Sequence, residues 1–143
     1  MNDNYLITVL GTQTIDGESD SIEVITSGEY IREPDIVRIT YPEYDNENPN
    51  IRTDTTVTLE GGKLSIERLG ENTSRLLLEK GQRHRCLYET PMGTIFIGIF
   101  TDDIKAELSD TGCEIRASYQ LDFNNSSVSC NEFTIKVKEK DLN

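Results

Sequence analysis

Between Cys113 and Phe123 the chain alternates without interruption, with Cys113, Ile115, Ala117, Tyr119, Leu121 and Phe123 on one parity and Glu114, Arg116, Ser118, Gln120 and Asp122 on the other. A period of two sustained over this length predicts an antiparallel strand with one face on a core and the other in water. Asp110-Thr111-Gly112 before it and Asn124-Asn125-Ser126-Ser127 after it are turn chemistry, so the strand is expected to have a neighbour on each side.

The same reading applies along the chain. Tyr5, Ile7 and Val9 share a parity in a first strand that ends near Ile15, and Asp16-Gly17-Glu18-Ser19 turns it into a second, where Ile22, Val24 and Thr26 lead to Gly28 and Tyr30. Glycine at position 28 predicts a bulge or a sharp coil. After Pro34, Val37, Ile39, Tyr41 and Glu43 fall in phase, and Pro42 among them marks a strand end or edge. The polar run Asp45-Asn46-Glu47-Asn48-Pro49-Asn50 is an exposed loop. Thr53, Thr55, Val57 and Leu59 then alternate up to Gly61-Gly62, a primed hairpin turn that sends Leu64, Ile66 and Arg68 back. Gly70-Glu71-Asn72, Gly81-Gln82 and Pro91-Met92-Gly93 separate strands at Ser74–Lys80, Arg83–Thr90 and Thr94 onward. Ile95 to Phe100 is apolar on both parities, and at six residues it reads as a strand covered on both faces; Asp102 to Leu108 fits a continuing strand or one helical turn, and strand is the expectation. Phe133, Ile135 and Val137 alternate with lysines and threonine to finish the chain.

No window combines helical periodicity with caps. About ten strands joined by short turns make an all-β meander, and a meander of that length escapes two exposed edges by closing into an up-and-down barrel. Closure requires the Tyr5 and Phe133 strands to be neighbours. We therefore expect residues 1–143 to be a single β-barrel domain.

Composition narrows the function classes. The formal net charge is −12, from 14 Lys and Arg against 26 Asp and Glu. A field of that sign repels phosphate backbones and anionic bilayers, so neither nucleic acid nor membrane is expected as a partner. The N-terminus lacks a positive region before an apolar stretch, and no apolar run approaches about 20 residues, which reads as a cytoplasmic protein. Three cysteines, Cys86, Cys113 and Cys130, match no zinc spacing and read as reduced thiols. Asn72, Asn124 and Asn125 head formal glycosylation sequons in a chain that nothing directs to secretion. The single histidine, His84, has only Cys86 in phase with it, and no nucleophile sits in an activating motif. No metal, no cofactor and no catalytic residue is expected, and the protein is not expected to be an enzyme.

The informative residues are polar ones that fall in phase with apolar ones: Glu43, Arg68, Tyr41, Tyr88 and Tyr119. In a closed barrel all five point inward, and an inward charge has to be paired or hydrated. Two accounts fit. Glu43 and Arg68 are a buried pair that fixes register, or they are the polar end of a ligand cavity in which Arg68, with the phenols of Tyr41, Tyr88 and Tyr119, receives an anionic or amphipathic small molecule while Glu43 orients the arginine. A third account is a structural or regulatory interaction module with a filled core, monomeric or homodimeric, with the Ile95–Phe100 run favouring a dimer wherever its second face is exposed.

Gly28-x-Tyr30, Tyr41-x-Glu43, Arg68-x-Gly70, Tyr88-x-Thr90-Pro91-x-Gly93 followed by Thr101, and Tyr119-x-Leu121 occur in an order that resembles the YwiB-like family of small bacterial proteins, grouped with calycin-like β-barrels. The resemblance spans nearly the whole chain. It implies a lipocalin-like barrel and carries over no catalytic residue. The chain departs from lipocalins proper, which carry a Gly-x-Trp signature, in having no tryptophan, and Asp16-Gly17-Glu18-Ser19 leaves no room for the helices of fatty-acid-binding proteins.

Overall fold

A computed structural model describes residues 4–44, 47–48, 50–70, 73–90, 92–123 and 126–140. Among them the chain forms ten strands: β1 (Tyr5–Ile15), β2 (Glu18–Glu33), β3 (Ile36–Tyr44), β4 (Arg52–Glu60), β5 (Lys63–Leu69), β6 (Thr73–Glu79), β7 (Arg83–Thr90), β8 (Gly93–Ser109), β9 (Gly112–Phe123) and β10 (Ser126–Glu139). Every strand pairs antiparallel with its neighbours in sequence, and β1 pairs with β10, so the meander closes into the expected up-and-down barrel. The closing register sets Ile7 against Val137 and Val9 against Ile135. Asp45, Asn46 and Pro49 of the polar loop, the turn residues Glu71 and Pro91, and the sequon asparagines Asn72, Asn124 and Asn125 lie outside the described residues.

The predicted turns explain the close spacing of the strands. Gly61 and Gly62 both have positive φ, 59° and 79°, the combination a two-residue primed turn needs to match strand twist. The parities read from the sequence point as expected: Ile7, Ile39, Val57, Leu64, Leu78, Ile99, Ile115 and Ile135 are fully buried on the barrel axis. Each such side chain contributes about 1.5–3 kcal/mol by leaving water. One end of the barrel is closed by Tyr30. Its hydroxyl donates to the Ser109 carbonyl at 2.7 Å, with the Gly112 carbonyl 3.2 Å away, and its ring meets Tyr5 edge-on with centroids 5.5 Å apart.

Two expectations are corrected. Of the bulge or sharp coil expected at Gly28, the bulge is absent, because β2 runs in unbroken register with β1 through Gly28 opposite Tyr5. The glycine is needed where β2 crosses over β1 and β3: a Cβ would lie 2.6 Å from Ile7 Cδ1 and closer still to the Thr40 carbonyl oxygen. The run Ile95–Phe100 is not covered on both faces, and even on the inward parity Ile95 is 42% exposed. Ile99 is fully buried, but Phe96, on the outer face, is 46% exposed, and Phe100 is exposed too. A single-walled barrel has one interior, so a strand apolar on both parities must show one of them to solvent. Side chains cover that outer face in part: the Arg85 guanidinium lies 4.2 Å over the Phe96 ring, and Arg83 forks onto Asp122 across Gly98, with Nη2–Oδ1 2.6 Å and Nε–Oδ2 3.0 Å.

The strands differ in reach, and this shapes the other end. β2 pairs with β1 all the way from Glu18, yet its ladder with β3 begins only at Glu29 opposite Thr40. β1, β2, β8, β9 and β10 therefore form a tall wall, opposite the shorter β3–β7. Pro42 sits where the β2 side of β3 carries no ladder, so its missing N–H leaves no bond unmade, as the edge reading required.

Candidate functional site

Inward residues of neighbouring strands line up in layers. Ile39, Val57, Ile66 and Leu76 face one another across β3 to β6 and make an apolar row. Two residues nearer the open end, the same strands carry Tyr41, Thr55, Arg68 and Ser74, and Tyr88 of β7 continues this second row. On the tall wall Gln13, Asn131, Tyr119 and Thr101 are cross-strand neighbours in the same way. The hydrophobic core thus ends in a polar lid, and above the lid lies a cleft of about 290 Å³.

All five residues singled out from the sequence come together here. Glu43, Arg68, Tyr88 and Tyr119 line the cleft, with Val24, Leu121 and Phe133 as its apolar wall. Tyr41 lies beneath them, 1% exposed. The pair Glu43–Arg68 is not the fully buried pair of the register account: the side chains are 22% and 43% exposed, with Arg68 Nε 3.4 Å from Glu43 Oε2. That oxygen already accepts from the Thr55 hydroxyl at 2.6 Å. The arginine Nε–H is near enough to be attracted but poorly aimed, and it makes no hydrogen bond. The Tyr41 hydroxyl and Thr101 Oγ1 likewise have no partner among the described residues. Buried polar atoms are normally satisfied, so Arg68 Nε and the Tyr41 hydroxyl, both poorly paired in one row of the barrel, set this end apart.

The phenols are held un-ionised. Burial pushes Tyr119 up to about 12, with nearby Tyr88 adding and Arg68 opposing. Burial also raises Tyr88, against the pull of Arg68, and carries Tyr41 above the usual phenol range, with the Glu43 charge adding and the charge and hydrogen-bonding reach of Arg68, then of Thr55, opposing. The site therefore offers O–H and N–H donors at any physiological pH.

Sequence reasoning missed Thr55, Ser74, Thr101 and Asn131, although each shares the inward parity of its strand and the signal was available in that parity. His84 is elsewhere, its Nε2 3.0 Å from Glu79 Oε1, and among the described residues no three His, Cys, Asp or Glu side chains gather to hold a metal ion. Depressions of about 240 and 380 Å³ also lie outside the cleft, one on the outer wall around Lys105 and Arg116 and one beside the β8–β9 turn; neither has an orphaned polar atom in its lining.

Residues 7–135 match the family described as Domain of unknown function (DUF1934). The fold is similar to that in the crystal structure of ywiB protein from Bacillus subtilis, with a TM-score of 0.83 at 19% identity, covering 96% of this chain and 92% of that one. No curated protein matches the chain. Among the described residues no helix is long and apolar enough to cross a membrane.

Proposed function

Because the chain belongs to the DUF1934 family, whose description names no activity, we propose from its own open end that it binds a small amphipathic molecule whose anionic head rests on Arg68. The observation that carries this reading is the pair of orphaned donors, Arg68 Nε–H and the Tyr41 hydroxyl, beneath the cleft. A carboxylate or phosphate oxygen supplies what both lack, and charge-assisted bonds of this kind are about twice as strong as neutral ones. The volume sits near the lower end of the roughly 300–1,000 Å³ of small-molecule sites, so the ligand is small.

Charge limits the ligand further. Asp20, Glu43 and Glu132 line the cleft with Arg68, so one cation faces three carboxylates. A multiply charged anion is disfavoured there. A single anionic head at Arg68 with an apolar body along Val24, Leu121 and Phe133 suits the lining better. Binding rather than catalysis is proposed, since the cleft lining holds no histidine or cysteine and no paired nucleophile and base. Nucleic acid and anionic bilayers are not proposed as partners of a chain carrying −12.

A thermal-shift panel of small carboxylates and phosphates, run on the native protein and on the Arg68→Met, Glu43→Leu double variant, tests the reading. At a hundredfold excess over Kd a ligand stabilises by about 2.7 kcal/mol, a Tm rise of roughly 5–10 °C for a chain of this size. The rise should vanish in a folded double variant. No hit, with a double variant at least as stable as the native protein, makes the arginine architecture. A second reading, a homodimer through the outer face of β8, rests on exposed Phe96 under Arg85, an aromatic and arginine pair of the kind that anchors interfaces.

A further inference from the structure

The overshoot of β2 leaves something unused beside the cleft. From Glu18 to Ser27 this strand pairs with β1 on one side, and its other side, which meets β3 only from Glu29, presents a row of backbone N–H and C=O groups that no strand pairs among the described residues. Ile22 and Ile25 on the same stretch are 72% and 63% exposed. Asp20, Ile22 and Val24 form part of the cleft lining, so the free edge is also the cleft's side wall. The opening narrows toward the core, where Thr26 Oγ1 lies 3.5 Å from the Pro42 carbonyl oxygen. The next residue, Glu43, is the one that meets Arg68.

We infer that the cleft receives the C-terminal end of an extended peptide, which adds a strand to the free edge of β2 and sets its terminal carboxylate on Arg68 and the Tyr41 hydroxyl. This rests on the reading of the cleft as an oxyanion site and names the class of ligand. The direction follows from the fold: β2 runs from the open end toward the core, and the carboxylate belongs at the deep end, so the peptide runs parallel to β2. At about 3.3 Å per residue, the stretch from Asp20 to Thr26 accommodates a handful of peptide residues, with alternate side chains turned toward Leu121 and Phe133. Main-chain pairing then supplies affinity, and the apolar wall and the terminal carboxylate supply selectivity.

Charge selects the peptide. Glu18, Asp20 and Glu23 stand along the edge, so the residues before the terminus are basic ones alternating with apolar ones. Two copies of this chain meeting antiparallel through β2 would bring the same acids together, which disfavours self-pairing here.

Fluorescence anisotropy with the labelled pentapeptide Lys-Val-Lys-Val-Leu tests the inference in four arms on the full chain: the free acid, its C-terminal amide, the free acid N-methylated at alternate backbone nitrogens, and N-acetyl-leucine as unlabelled competitor. The free acid should bind at least tenfold tighter than each of the other three, and Arg68→Gln should abolish its advantage over the amide. An amide that binds as well as the acid overturns the terminal-carboxylate assignment. An N-methylated peptide that binds as well overturns strand addition. Should N-acetyl-leucine match the pentapeptide in an Arg68-dependent manner, the peptide inference falls while the oxyanion site stands. Silence in every arm overturns the inference, and the carboxylate and phosphate panel then judges the site independently.

Discussion

Replacing Tyr41 with phenylalanine should make the unliganded protein more stable and a poorer binder. The side chain is 1% exposed, and its hydroxyl has no partner among the described residues. Arg68 and Thr55 lie close enough to pull its titration down, but Thr55 gives its own proton to Glu43 and neither group meets the phenol oxygen in good hydrogen-bonding geometry. A buried polar group stripped of water and left unpaired is unfavourable by about 1–3 kcal/mol. Phenylalanine keeps the ring and its packing and removes only that group, so we expect a gain of about 1–2 kcal/mol. With an m-value near 2 kcal/mol/M in urea, the midpoint should rise by roughly 0.5–1 M at unchanged slope. Affinity for a stabilising carboxylate should fall about tenfold, the equivalent of one lost hydrogen bond of about 1.4 kcal/mol. A midpoint that drops by the equivalent of 1 kcal/mol or more refutes the argument, for it would mean that the hydroxyl is already satisfied in the free protein.

Tyr119→Asp should destabilise by about 2 kcal/mol in urea titration, less than for a core aromatic because the side chain is half-buried over the cleft. Gln120→Asp on the opposite face should stay within roughly 0.5 kcal/mol, the residual loss reflecting the amide's bond to Asp102; equal effects would mean that the inward face is wrongly assigned. Thiol labelling of the native protein at pH 8 should find one fast group, exposed Cys130, since Cys86 and Cys113 are buried and burial raises both, Cys113 to about 11. Three fast groups would contradict the fold at these positions. Stability should begin to fall above about pH 9, where the buried thiols of Cys86 and Cys113 keep protons that the unfolded chain gives up, and fall further as pH climbs toward 12: Tyr119 keeps its proton to about 12 when folded and gives it up near 10 when unfolded, so its contribution, up to about 3 kcal/mol, is present below 10 and lost above. A urea midpoint unchanged between pH 8 and pH 11.5 would refute this.

Periodicity made the barrel legible because each parity reports which way a side chain points. Cys113 to Gln120 alternate as read, while Phe123, read as a core residue, stands exposed at the strand's end, and Gly61-Gly62 turns as read. Parity also brought Glu43, Arg68, Tyr41, Tyr88 and Tyr119 to one end of one interior. It says nothing about how far a strand outruns its neighbour. The overshoot of β2, which makes the cleft and its free edge, depends on where the β2–β3 ladder stops, and that is decided between strands. Nor does hydrophobicity on both faces reveal whether a second layer exists to cover Phe96. The poor pairing of Tyr41 was out of reach for a related reason: it depends on how Arg68 and Thr55 are aimed around its oxygen, a choice among side chains on adjacent strands.

The pairing of β1 with β10 also sets a clock. Val9 waits for Ile135, and at about 5–20 residues per second of synthesis the interval between them is roughly 6–25 s. Through that time the nascent barrel is an open, curling sheet with β1 at its rim, supported only by β2, and its two longest-separated strands must find each other last.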